Sequence, residues 1–322
     1  MHAWQFIRAG QPLVRVEIPD PTPPRNGVVV DVRAAGLCSS DVGIIDGTLD
    51  GVLTFAPIVL GHEVAGVISE VGDNVAEFKV GDRVAIHSMG DGTPRVGGNY
   101  IGTGRNGGYA EKTTAWTSEL IKLPDGVDFD QAAAATDAGM TAYHALFETG
   151  GVRPGTRVGI VGLGGLGLNG ARLAVLAGAE VFAAGRRAEV NARAVELGVT
   201  EVVTNTADLV KYNLDVIVDF AGFGTTTAAA IEAINPGGRV VQVGLGVEQS
   251  TISTYLITMK QVTLVGSLGG TPRDTAEVVK LINSGDFRIA TRKIGFDEIG
   301  EGLGALKRGE VKGERLVAQW DL

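Results

Sequence analysis

The sequence predicts an α/β protein that combines a β-rich part with a doubly wound parallel sheet. Apolar strands alternate with helical segments through residues 151–287, which is the pattern of a parallel sheet covered by helices on both faces. A glycine-rich turn near the start of this stretch lies where such sheets bind their ligand. Residues 1–35 are short apolar segments separated by proline and glycine, which favours an antiparallel, barrel-like region.

The glycine-rich turn follows a short apolar strand that ends at Val161. Its G-x-G-x-x-G pattern suits a dinucleotide, because the first glycine permits the tight turn and the second lets backbone N–H groups approach a pyrophosphate. The third glycine lets the following helix, expected over residues 168–177, pack closely on the strand. Glycine is common in this chain, at 48 of 322 residues, but the strand, turn and helix order makes the motif specific. The cofactor-binding residues predicted in this turn are Gly162, Gly164, Gly165, Leu166 and Gly167.

Further strands and helices follow the turn. We expect strands over residues 179–184, 201–204, 214–220, 239–243 and 262–266, and helices over residues 187–198, 225–234 and 271–284. Ligands of doubly wound sheets lie at the carboxyl ends of the strands. The residues just past the last three strands are therefore further candidates for contact with a dinucleotide: Ala221, Gly244 and Leu268.

The end of the second strand predicts which dinucleotide binds. An Asp or Glu there would accept hydrogen bonds from the adenosine ribose, but the chain has Gly185 followed by Arg186 and Arg187. Guanidinium groups suit a phosphate monoester, so the 2′-phosphate of NADP(H) fits better than the free ribose of NAD(H). The alternative is a solvated pair of surface arginines. We expect NADP(H) to be preferred over NAD(H).

Composition and charge limit the classes of partner. The chain has 322 residues, of which 44% are hydrophobic and 20% charged, which is typical of a globular protein with two domains. A formal net charge of −9 disfavours nucleic acid and anionic membranes as partners, because both bind basic faces. The amino terminus lacks the features of a signal peptide and no apolar run reaches transmembrane length, so we expect a cytoplasmic protein.

Two short motifs lie in the β-rich part, where we expect strands over residues 1–7, 13–18 and 27–35. The first motif, residues 36–41 with the letters G-L-C-S-S-D, carries Cys38, the single cysteine of the chain. A single cysteine excludes an internal disulfide and a four-cysteine metal site. The second motif begins with the letters G-H-E at residue 61.

Together these motifs resemble the zinc-containing alcohol dehydrogenases of the medium-chain dehydrogenase/reductase superfamily. Residues 36–41 are similar to the first-ligand motif of that family. The positions that match the spacing of the family signature are Gly61, His62, Glu63, Gly66, Gly72 and Val75. The resemblance covers nearly the whole chain. It implies a GroES-like catalytic domain of residues 1–150, completed by residues 288–322, and a Rossmann cofactor domain of residues 151–287.

The resemblance also implies a catalytic zinc ion. Zinc with three protein ligands and one open position stabilises an alkoxide, or polarises a carbonyl, while a hydride moves to or from nicotinamide. The implied ligands are the thiolate of Cys38, the imidazole of His62 and the carboxylate of Asp137. Two alternatives stay open for the third ligand, Glu63 or water, because Asp137 near a helix start could be an N-cap.

Three further roles follow from the resemblance. Glu63 is expected beside the ligands, or as a ligand that exchanges with water. The hydroxyl of Ser40 is expected to take the proton of the substrate and pass it on. Arg315 resembles a family arginine that can reach the cofactor phosphates, although a surface arginine is an equal alternative.

The chain departs from the family pattern at two places. Many members carry a histidine three residues after the serine, where this chain has Gly43, so a proton relay must use a ribose hydroxyl, water or His87, or be weaker. The lobe that binds a structural zinc in many members corresponds to residues 90–108, a glycine-rich loop without cysteine. We therefore expect one catalytic zinc and no structural zinc. His87, Ser88 and Met89 lie where the family lines its substrate pocket, although ordinary packing explains them equally well.

The sequence thus predicts a zinc-dependent, NADP(H)-preferring alcohol dehydrogenase or carbonyl reductase that acts on a small alcohol, aldehyde or ketone. One alternative is a zinc-free enone or quinone reductase of the same superfamily, against which Cys38, His62 and Glu63 count. Another is a nucleotide-binding protein without turnover. Because relatives pair through the last strand of the cofactor domain, we expect a homodimer or a homotetramer by analogy.

Overall fold

The computed structural model describes residues 1–90 and 98–321, so that residues 91–97 of the predicted glycine-rich loop lie outside the described part. Contacts divide the chain into two units. The first unit comprises Met1–Met140 and Thr271–Leu322, and the second comprises Thr141–Gly270.

The first part of the chain is rich in short strands. One α-helix, α1 (Ser39–Asp46), follows the third strand, and single 3-10 turns lie at Asp50–Val52 and Thr117–Glu119. The strands are β1 (His2–Phe6), β2 (Val14–Glu17), β3 (Gly27–Leu37), β4 (Ile58–Val59), β5 (Glu63–Val71), β6 (Arg83–Ile86), β7 (Lys112–Trp116) and β8 (Leu120–Lys122). The strands expected over residues 1–7, 13–18 and 27–35 are confirmed as β1, β2 and β3.

A helical run connects the strand-rich part to the parallel sheet. It comprises α2 (Phe129–Ala134), a π-helical turn at Ala135–Gly139, α3 (Met140–His144) and a second π-helical turn at Ala145–Thr149. A π-helical turn accommodates one extra residue per turn and therefore changes the face on which the following side chains lie.

The second unit alternates strands with helices. Its strands are β9 (Arg157–Val161), β10 (Glu180–Ala184), β11 (Glu201–Val203), β12 (Val216–Asp219), β13 (Arg239–Gln242) and β14 (Thr263–Gly266). Its helices are α4 (Gly165–Leu176), α5 (Ala188–Glu196), α6 (Thr225–Ala233) and α7 (Thr254–Lys260), with a 3-10 helix at Thr206–Tyr212.

The last part of the chain returns to the first unit. It comprises α8 (Pro272–Asn283), β15 (Thr291–Ile294), a 3-10 turn at Phe296–Glu298, α9 (Ile299–Lys307) and β16 (Arg315–Gln319). Thr271 begins α8 with a capping box, in which its hydroxyl accepts from the N–H of Asp274 and the Asp274 carboxylate accepts from the N–H of Thr271.

Two sheets lie in the described part of the first unit. A seven-stranded sheet has the order β15-β16-β3-β5-β6-β8, with β7 paired to β3 as well, and a three-stranded sheet has the order β2-β1-β4. β3 is the central strand, since it pairs antiparallel with β5, β7 and β16. Most of its residues are buried because both of its faces are covered. β3 therefore holds the residues that follow it in a fixed position.

The second unit is a six-stranded parallel sheet with the order β11-β10-β9-β12-β13-β14. Numbered along the unit, this order is 3-2-1-4-5-6, which is that of a doubly wound dinucleotide-binding sheet. The α/β class predicted from the sequence is confirmed. The strand order reverses between β9 and β12, and this is where such sheets bind their ligand.

The predicted elements of this sheet match the structure to within a few residues. The helix expected over residues 168–177 begins earlier, at Gly165, because Gly164 in the glycine-rich turn already acts as its N-cap. None of the helices in the described ranges is both long and apolar enough to cross a membrane.

Candidate active site

Four potential metal ligands lie together in the first unit. They are Cys38, His62, Glu63 and Asp137, and one donor atom from each lies within 4.8 Å of the others. The four residues come from three segments that are far apart in the sequence. The structure thus brings together the three residues expected as zinc ligands and Glu63, which was expected beside them.

Cys38 and Ser40 are positioned by the junction of β3 and α1. Cys38 is the N-cap of α1, and its backbone N–H donates to Asp41 Oδ2 at 3.0 Å. Ser40 lies on the first turn of the helix, with its Oγ 3.5 Å from Nε2 of His62. The side chains expected to bind metal and to carry a proton are therefore neighbours at the start of one helix.

His62 is oriented by a buried carboxylate. Its Nδ1 lies 3.3 Å from Asp41 Oδ1, so Nε2 faces the other potential ligands. Asp41 is completely buried and also accepts a hydrogen bond of 2.7 Å from the hydroxyl of Tyr109. Burial by itself lowers the pKa of His62, but the charge and the hydrogen bond of Asp41, aided by Cys38, raise this pKa well above its ordinary value. Carboxylate partners of this kind fix the ring of a metal-binding histidine.

Asp137 lies in the π-helical turn at Ala135–Gly139 rather than at a helix start. It is therefore not an N-cap, which was the alternative left open by the sequence. Its Oδ2 lies 3.5 Å from Cys38 Sγ and 4.0 Å from His62 Nε2. π-helical turns often lie at functional sites because they aim a side chain that a regular helix would place elsewhere.

A buried arginine joins the two carboxylates of the cluster. Arg315 begins β16, and its guanidinium lies 3.4 Å from Glu63 Oε2 and 3.0 Å from Asp137 Oδ2. Its Nη1 also donates to the carbonyl of Leu37 at 3.2 Å. The structure therefore places Arg315 in the first unit beside the potential ligands. Its contact with cofactor phosphates stays a prediction.

The charges of this cluster shift its pKa values in opposite directions. Burial raises the pKa of Glu63 well above its ordinary value, although the nearby charge of Arg315 acts against this shift. Burial by itself also raises the pKa of the Cys38 thiol, but the charge of Arg315, aided by His62, brings the net pKa below its ordinary value. A lowered thiol pKa favours the thiolate, which is the form that binds metal.

The donor set fits a zinc ion. Ligands about 2.0–2.3 Å from a tetrahedral zinc lie roughly 3.3–3.8 Å from one another, close to the 3.5 Å and 4.0 Å between donor atoms here. One thiol, one imidazole and one carboxylate are ligand types that zinc prefers. Glu63 Oε1 is buried and accepts no hydrogen bond from the described residues, so a further donor atom lies beside the set.

At position 43, where many members of the family carry a relay histidine, this chain has glycine. Gly43 is buried on α1, and a Cβ built on it would lie 2.8 Å from Leu49 Cδ1. His87 is buried, with Nδ1 2.9 Å from the hydroxyl of Thr275, and Ser88 donates to the carbonyl of Thr136. A role of His87 and Ser88 in proton relay or substrate contact stays a prediction.

The glycine-rich turn of the second unit has the geometry of a phosphate cradle. Gly162 has a φ of +86°, which only glycine adopts readily, and the turn leads to the N-terminus of α4. A Cβ on Gly167 would lie within 2 Å of the carbonyl oxygen of Gly162, so the helix packs on the turn only because this residue is glycine. The backbone N–H groups of Gly164, Gly165 and Leu166 lie at the start of this helix, where anions bind.

The other predicted cofactor residues of this unit follow the carboxyl ends of its strands. Ala221 and Gly244 come after β12 and β13, and Leu268, which is 58% exposed, comes after β14. Arg186 and Arg187 are exposed just after β10, where Arg186 lies 5.9 Å from the ring centroid of Phe223. These residues therefore share the edge of the sheet at which ligands bind.

Three residues of these sites were not predicted. Asp41 and Tyr109 support His62, and the signal for Asp41 was its position three residues after Cys38, where a side chain can cap a helix N-terminus. Asp219 is completely buried at the end of β12 and accepts from the N–H groups of Ala221 and Gly222, both at 2.9 Å. An acid that ends an otherwise apolar strand was the signal for Asp219.

Two regions of the chain match known family models. Residues 24–125 match the alcohol dehydrogenase GroES-like domain, and residues 165–284 match the zinc-binding dehydrogenase domain.

Individual relatives match over nearly the whole chain. The chain is 30% identical to an alcohol dehydrogenase of Geobacillus stearothermophilus over 330 aligned residues, which cover 97% of both proteins. It is 28% identical to the NADP-dependent alcohol dehydrogenase C 1 of Mycolicibacterium smegmatis, covering 96% of this chain and 95% of that protein. A solved structure of acetophenone reductase from Geotrichum candidum in complex with NAD superposes with a TM-score of 0.91 at 28% identity, covering 99% of this chain and 97% of that one.

Proposed function

Since the chain belongs to the zinc-type alcohol dehydrogenase family of the medium-chain dehydrogenase/reductase superfamily and is thus an oxidoreductase, we propose that it is a zinc-dependent, NADP(H)-preferring alcohol dehydrogenase or carbonyl reductase. The observation that carries the proposal is the cluster of Cys38, His62, Glu63 and Asp137. Its substrates are small alcohols, aldehydes or ketones. Supply of NADPH in the cell would favour carbonyl reduction.

The zinc ligands of the proposal are Cys38, His62 and Asp137. Glu63 stands beside them, with both carboxylate oxygens buried and free of hydrogen bonds to described residues, and serves either as a neighbour of the metal or as a ligand that exchanges with water. Because Cys38 is the single cysteine, the chain has no four-cysteine structural site, and the proposed content is one zinc per chain.

When bound, zinc supplies Lewis-acid polarisation of the substrate oxygen and NADP(H) supplies or accepts the hydride. The side chains of the protein orient the proposed ligands and transfer the proton of the substrate. Asp41 fixes the His62 ring through Nδ1, and Arg315 holds the carboxylates of Glu63 and Asp137. Ser40, half-buried and next to His62 Nε2, takes the proton of the alcohol in the oxidation direction and returns it in the reduction direction.

The proposed cofactor preference depends on Arg186 and Arg187. Both are exposed after β10, and neither makes an ion pair within the described part of the chain, so both remain available to a 2′-phosphate. The name of the Mycolicibacterium smegmatis relative states NADP dependence, whereas the Geotrichum candidum structure contains NAD. Cofactor preference in this family therefore has to be argued from the residues of each chain.

The proposed domains are a catalytic domain of residues 1–150 with residues 288–322, and a cofactor domain of residues 151–287. We further propose a cytoplasmic homodimer or homotetramer. Support for pairing comes from β14, an edge strand whose Leu264 is 37% exposed, since exposed apolar edge strands pair readily with another chain.

The test of the proposed activity is oxidation of NADPH with aldehydes, ketones and enones, before and after removal of metal by 1,10-phenanthroline. We expect reduction of aldehydes or ketones that is lost with the metal and returns when zinc is added. Reduction of enones that is insensitive to the chelator would instead support the zinc-free alternative.

A further inference from the structure

The π-helical turn at Ala135–Gly139, which carries Asp137, has a changed pattern of backbone hydrogen bonds. In a regular α-helix the N–H of Met140 would donate to the carbonyl of Thr136, four residues earlier. Here it donates to the carbonyls of Ala135 and Asp137 instead. The carbonyl of Thr136, a completely buried residue, therefore loses its α-helical donor and needs another one.

Ser88 supplies a donor to this carbonyl. Its Oγ lies 3.0 Å from the carbonyl oxygen of Thr136, and Ser88 is only 4% exposed. The residue before it, His87, is held at two points. Its N–H donates to the carbonyl of Glu119 at 2.8 Å, and its Nδ1 lies 2.9 Å from the hydroxyl of Thr275. The donor thus comes from a segment of the first unit that is itself fixed.

Helix α8 packs against the same turn. A Cβ built on Gly139 would lie 2.7 Å from Val278 Cγ1 and 3.2 Å from Ile289 Cδ1, so the turn is already in close contact with these side chains. It cannot move toward α8 without a clash. The position of the turn therefore depends on α8 at Gly139 and on the segment after β6 at Thr136.

The hydrogen bond from Ser88 acts on the residue next to Asp137. Thr136 and Asp137 share a peptide unit, so a shift of the Thr136 carbonyl moves the backbone from which the Asp137 side chain begins. Successive side chains of a helix point about 100° apart, so loss of the extra residue in the turn would aim the carboxylate elsewhere. In the structure, Asp137 Oδ2 lies 3.5 Å from Cys38 Sγ and 4.0 Å from His62 Nε2.

We propose that Ser88 is a positioning residue of the metal site, whose hydroxyl holds the π-helical turn in the register that presents Asp137 to the ion. This inference rests on the proposed function, because it concerns a ligand of the proposed zinc site. Arg315, 3.0 Å from Asp137 Oδ2, acts on the carboxylate itself. Ser88 acts on the backbone before it, so the two contacts fix different parts of the same residue.

The test measures the dissociation constant of zinc by competition with a chromophoric chelator. The proteins compared are the wild type, Ser88→Ala, Asp137→Ala and Ser88→Ala/Asp137→Ala. We expect Ser88→Ala to weaken zinc binding about tenfold or more, because side chains that orient metal ligands have effects of this size. In the Asp137→Ala background the same substitution should change zinc binding less than about twofold, because the ligand that Ser88 positions is already gone.

The matched control is Thr113→Val, which also removes a buried hydroxyl. Thr113 is 2% exposed, and its Oγ1 donates to the carbonyl of Asn106 at 3.1 Å. It lies on β7, which pairs with residues 27–31 of β3, whereas Cys38 follows the other end of that strand. Thr113→Val and Ser88→Ala should both lower the melting temperature of the zinc-free protein, but only Ser88→Ala should weaken zinc binding.

Cobalt provides a second readout, because the visible spectrum of bound Co²⁺ changes with the ligands and their geometry. The d–d bands of Co²⁺-loaded Ser88→Ala should be shifted relative to the wild type, and those of Co²⁺-loaded Thr113→Val should not. An unchanged spectrum of Ser88→Ala would mean that Asp137 keeps its place without the hydroxyl, and would overturn the inference.

Failure of the inference and failure of the proposed zinc site give different results. If Ser88→Ala binds zinc as tightly as the wild type, or weakens binding equally with and without Asp137, Ser88 does not act through Asp137, although the zinc site stands. If the wild type binds no zinc, or if Asp137→Ala binds zinc as tightly as the wild type, the proposed ligand set is wrong and the inference is overturned with it.

Discussion

Asp41 supports two of the proposed ligands at once, through the backbone N–H of Cys38 and Nδ1 of His62. Tyr109 in turn donates to Asp41, and a Cβ on Gly61 would lie 2.5 Å from the Tyr109 ring, so the ring packs directly against the residue before His62. The orientation of His62 thus depends on buried side chains behind it rather than on its own segment alone.

The substitution Asp41→Asn should lower the affinity for zinc about 10–100-fold, because a neutral amide replaces the carboxylate that orients His62. Competition with a chromophoric chelator measures this affinity. Asp46→Asn is the matched control, since Asp46 lies on the same helix but is exposed and bonds only to Thr48 among the described residues. Equal zinc affinity of the Asp41→Asn and control proteins would contradict the role of Asp41.

At this scale the sequence predicted the ligand candidates but not their supports. Cys38 and His62 stand in motifs with a recognisable spacing, and Asp137 was placed by resemblance. Asp41 and Tyr109 meet only in the fold, so no local pattern connects them. Likewise, nothing in the sequence near Arg315 indicates that it lies beside Glu63 and Asp137.

Among the elements, α2 and β15 are joined by one buried carboxylate. Asp130 on α2 accepts from the hydroxyl of Thr291 at 2.6 Å and lies 3.0 Å from Lys293 Nζ, both on β15. Burial by itself raises the pKa of Asp130, but the hydrogen bonds from Thr291, Lys293 and Gln131 outweigh it and hold this pKa below its ordinary value. The ionised form therefore ties the returning end of the chain to α2.

A depressed carboxyl pKa predicts the sign of a pH effect. Asp130 stabilises the fold above the ordinary aspartate pKa of about 4, and this contribution is lost as the pH falls through the lower pKa of the folded protein. Asp130→Asn should therefore be less stable than the wild type at neutral pH, with a gap that narrows below about pH 4. Urea unfolding across this range measures the gap, and the exposed Asp125→Asn serves as control. A gap that is independent of pH would contradict the prediction.

A second internal ion pair joins the glycine-rich loop of residues 90–108 to the 3-10 turn at Thr117–Glu119. Arg105 Nη2 donates to Glu119 Oε2 at 2.6 Å, and its guanidinium lies 4.5 Å from the ring centroid of Trp116. Arg105 also donates to the carbonyl of Asn99. The loop contains no cysteine, so no disulfide or cysteine-bound zinc can hold it. The buried contacts of Arg105 with Asn99, Trp116 and Glu119 hold this part of the chain instead.

Arg105→Met should destabilise the protein by about 3–5 kcal/mol, because it leaves the charge of Glu119 buried and unpaired. Arg105→Met/Glu119→Gln should be more stable than the single variant. Removing one partner of an exposed pair, as in Lys211→Met opposite Glu201, should change stability by less than about 1 kcal/mol. Unfolding in denaturant measures the stability of all three variants. Equal losses of stability in Arg105→Met and Lys211→Met would contradict the claim that the buried pair stabilises the fold more than the exposed pair does.

The elements themselves were largely predictable. Apolar strands alternating with helices identified the parallel sheet, because buried strands of such sheets have almost no polar residues. The π-helical turns at Ala135–Gly139 and Ala145–Thr149 were not predicted, since one extra residue per turn hardly changes an apolar pattern. Resemblance could therefore indicate the role of Asp137, whereas the periodicity of the sequence could not.

For the whole molecule, β14 is the feature that bears on assembly. It pairs only with β13 among the described strands, and Leu264 on it is exposed. Tyr255 and Met259 on α7, which precedes it, are 69% and 64% exposed. An apolar edge of this kind favours pairing with a second copy of the chain.

Leu264→Lys should weaken or abolish the homodimer, because it places a charge on the strand expected to pair. Size-exclusion chromatography with light scattering measures the mass. Val210→Lys is the control, since Val210 is an exposed apolar residue of the same unit but lies in a 3-10 helix rather than on the edge strand. Dissociation by the control alone, or a Leu264→Lys protein that pairs as the wild type does, would contradict the proposed interface.

At the scale of the whole molecule, the resemblance and the alternation of strands and helices predicted the two kinds of sheet. The pairing of β16 with β3 was not predicted, because it joins residues at opposite ends of the chain. Such long-range pairs leave no local pattern in a single sequence. This pairing brings Arg315 to the proposed zinc site, so the site is complete only when both ends of the chain are folded together.

The most direct test of the central claim is elemental analysis of protein purified without chelator, comparing the wild type with Cys38→Ala. We expect one zinc per chain in the wild type and none in Cys38→Ala, with a folded protein confirmed by circular dichroism. Wild-type protein that is active with carbonyl substrates and contains no zinc would contradict the claim that Cys38, His62 and Asp137 form a catalytic metal site.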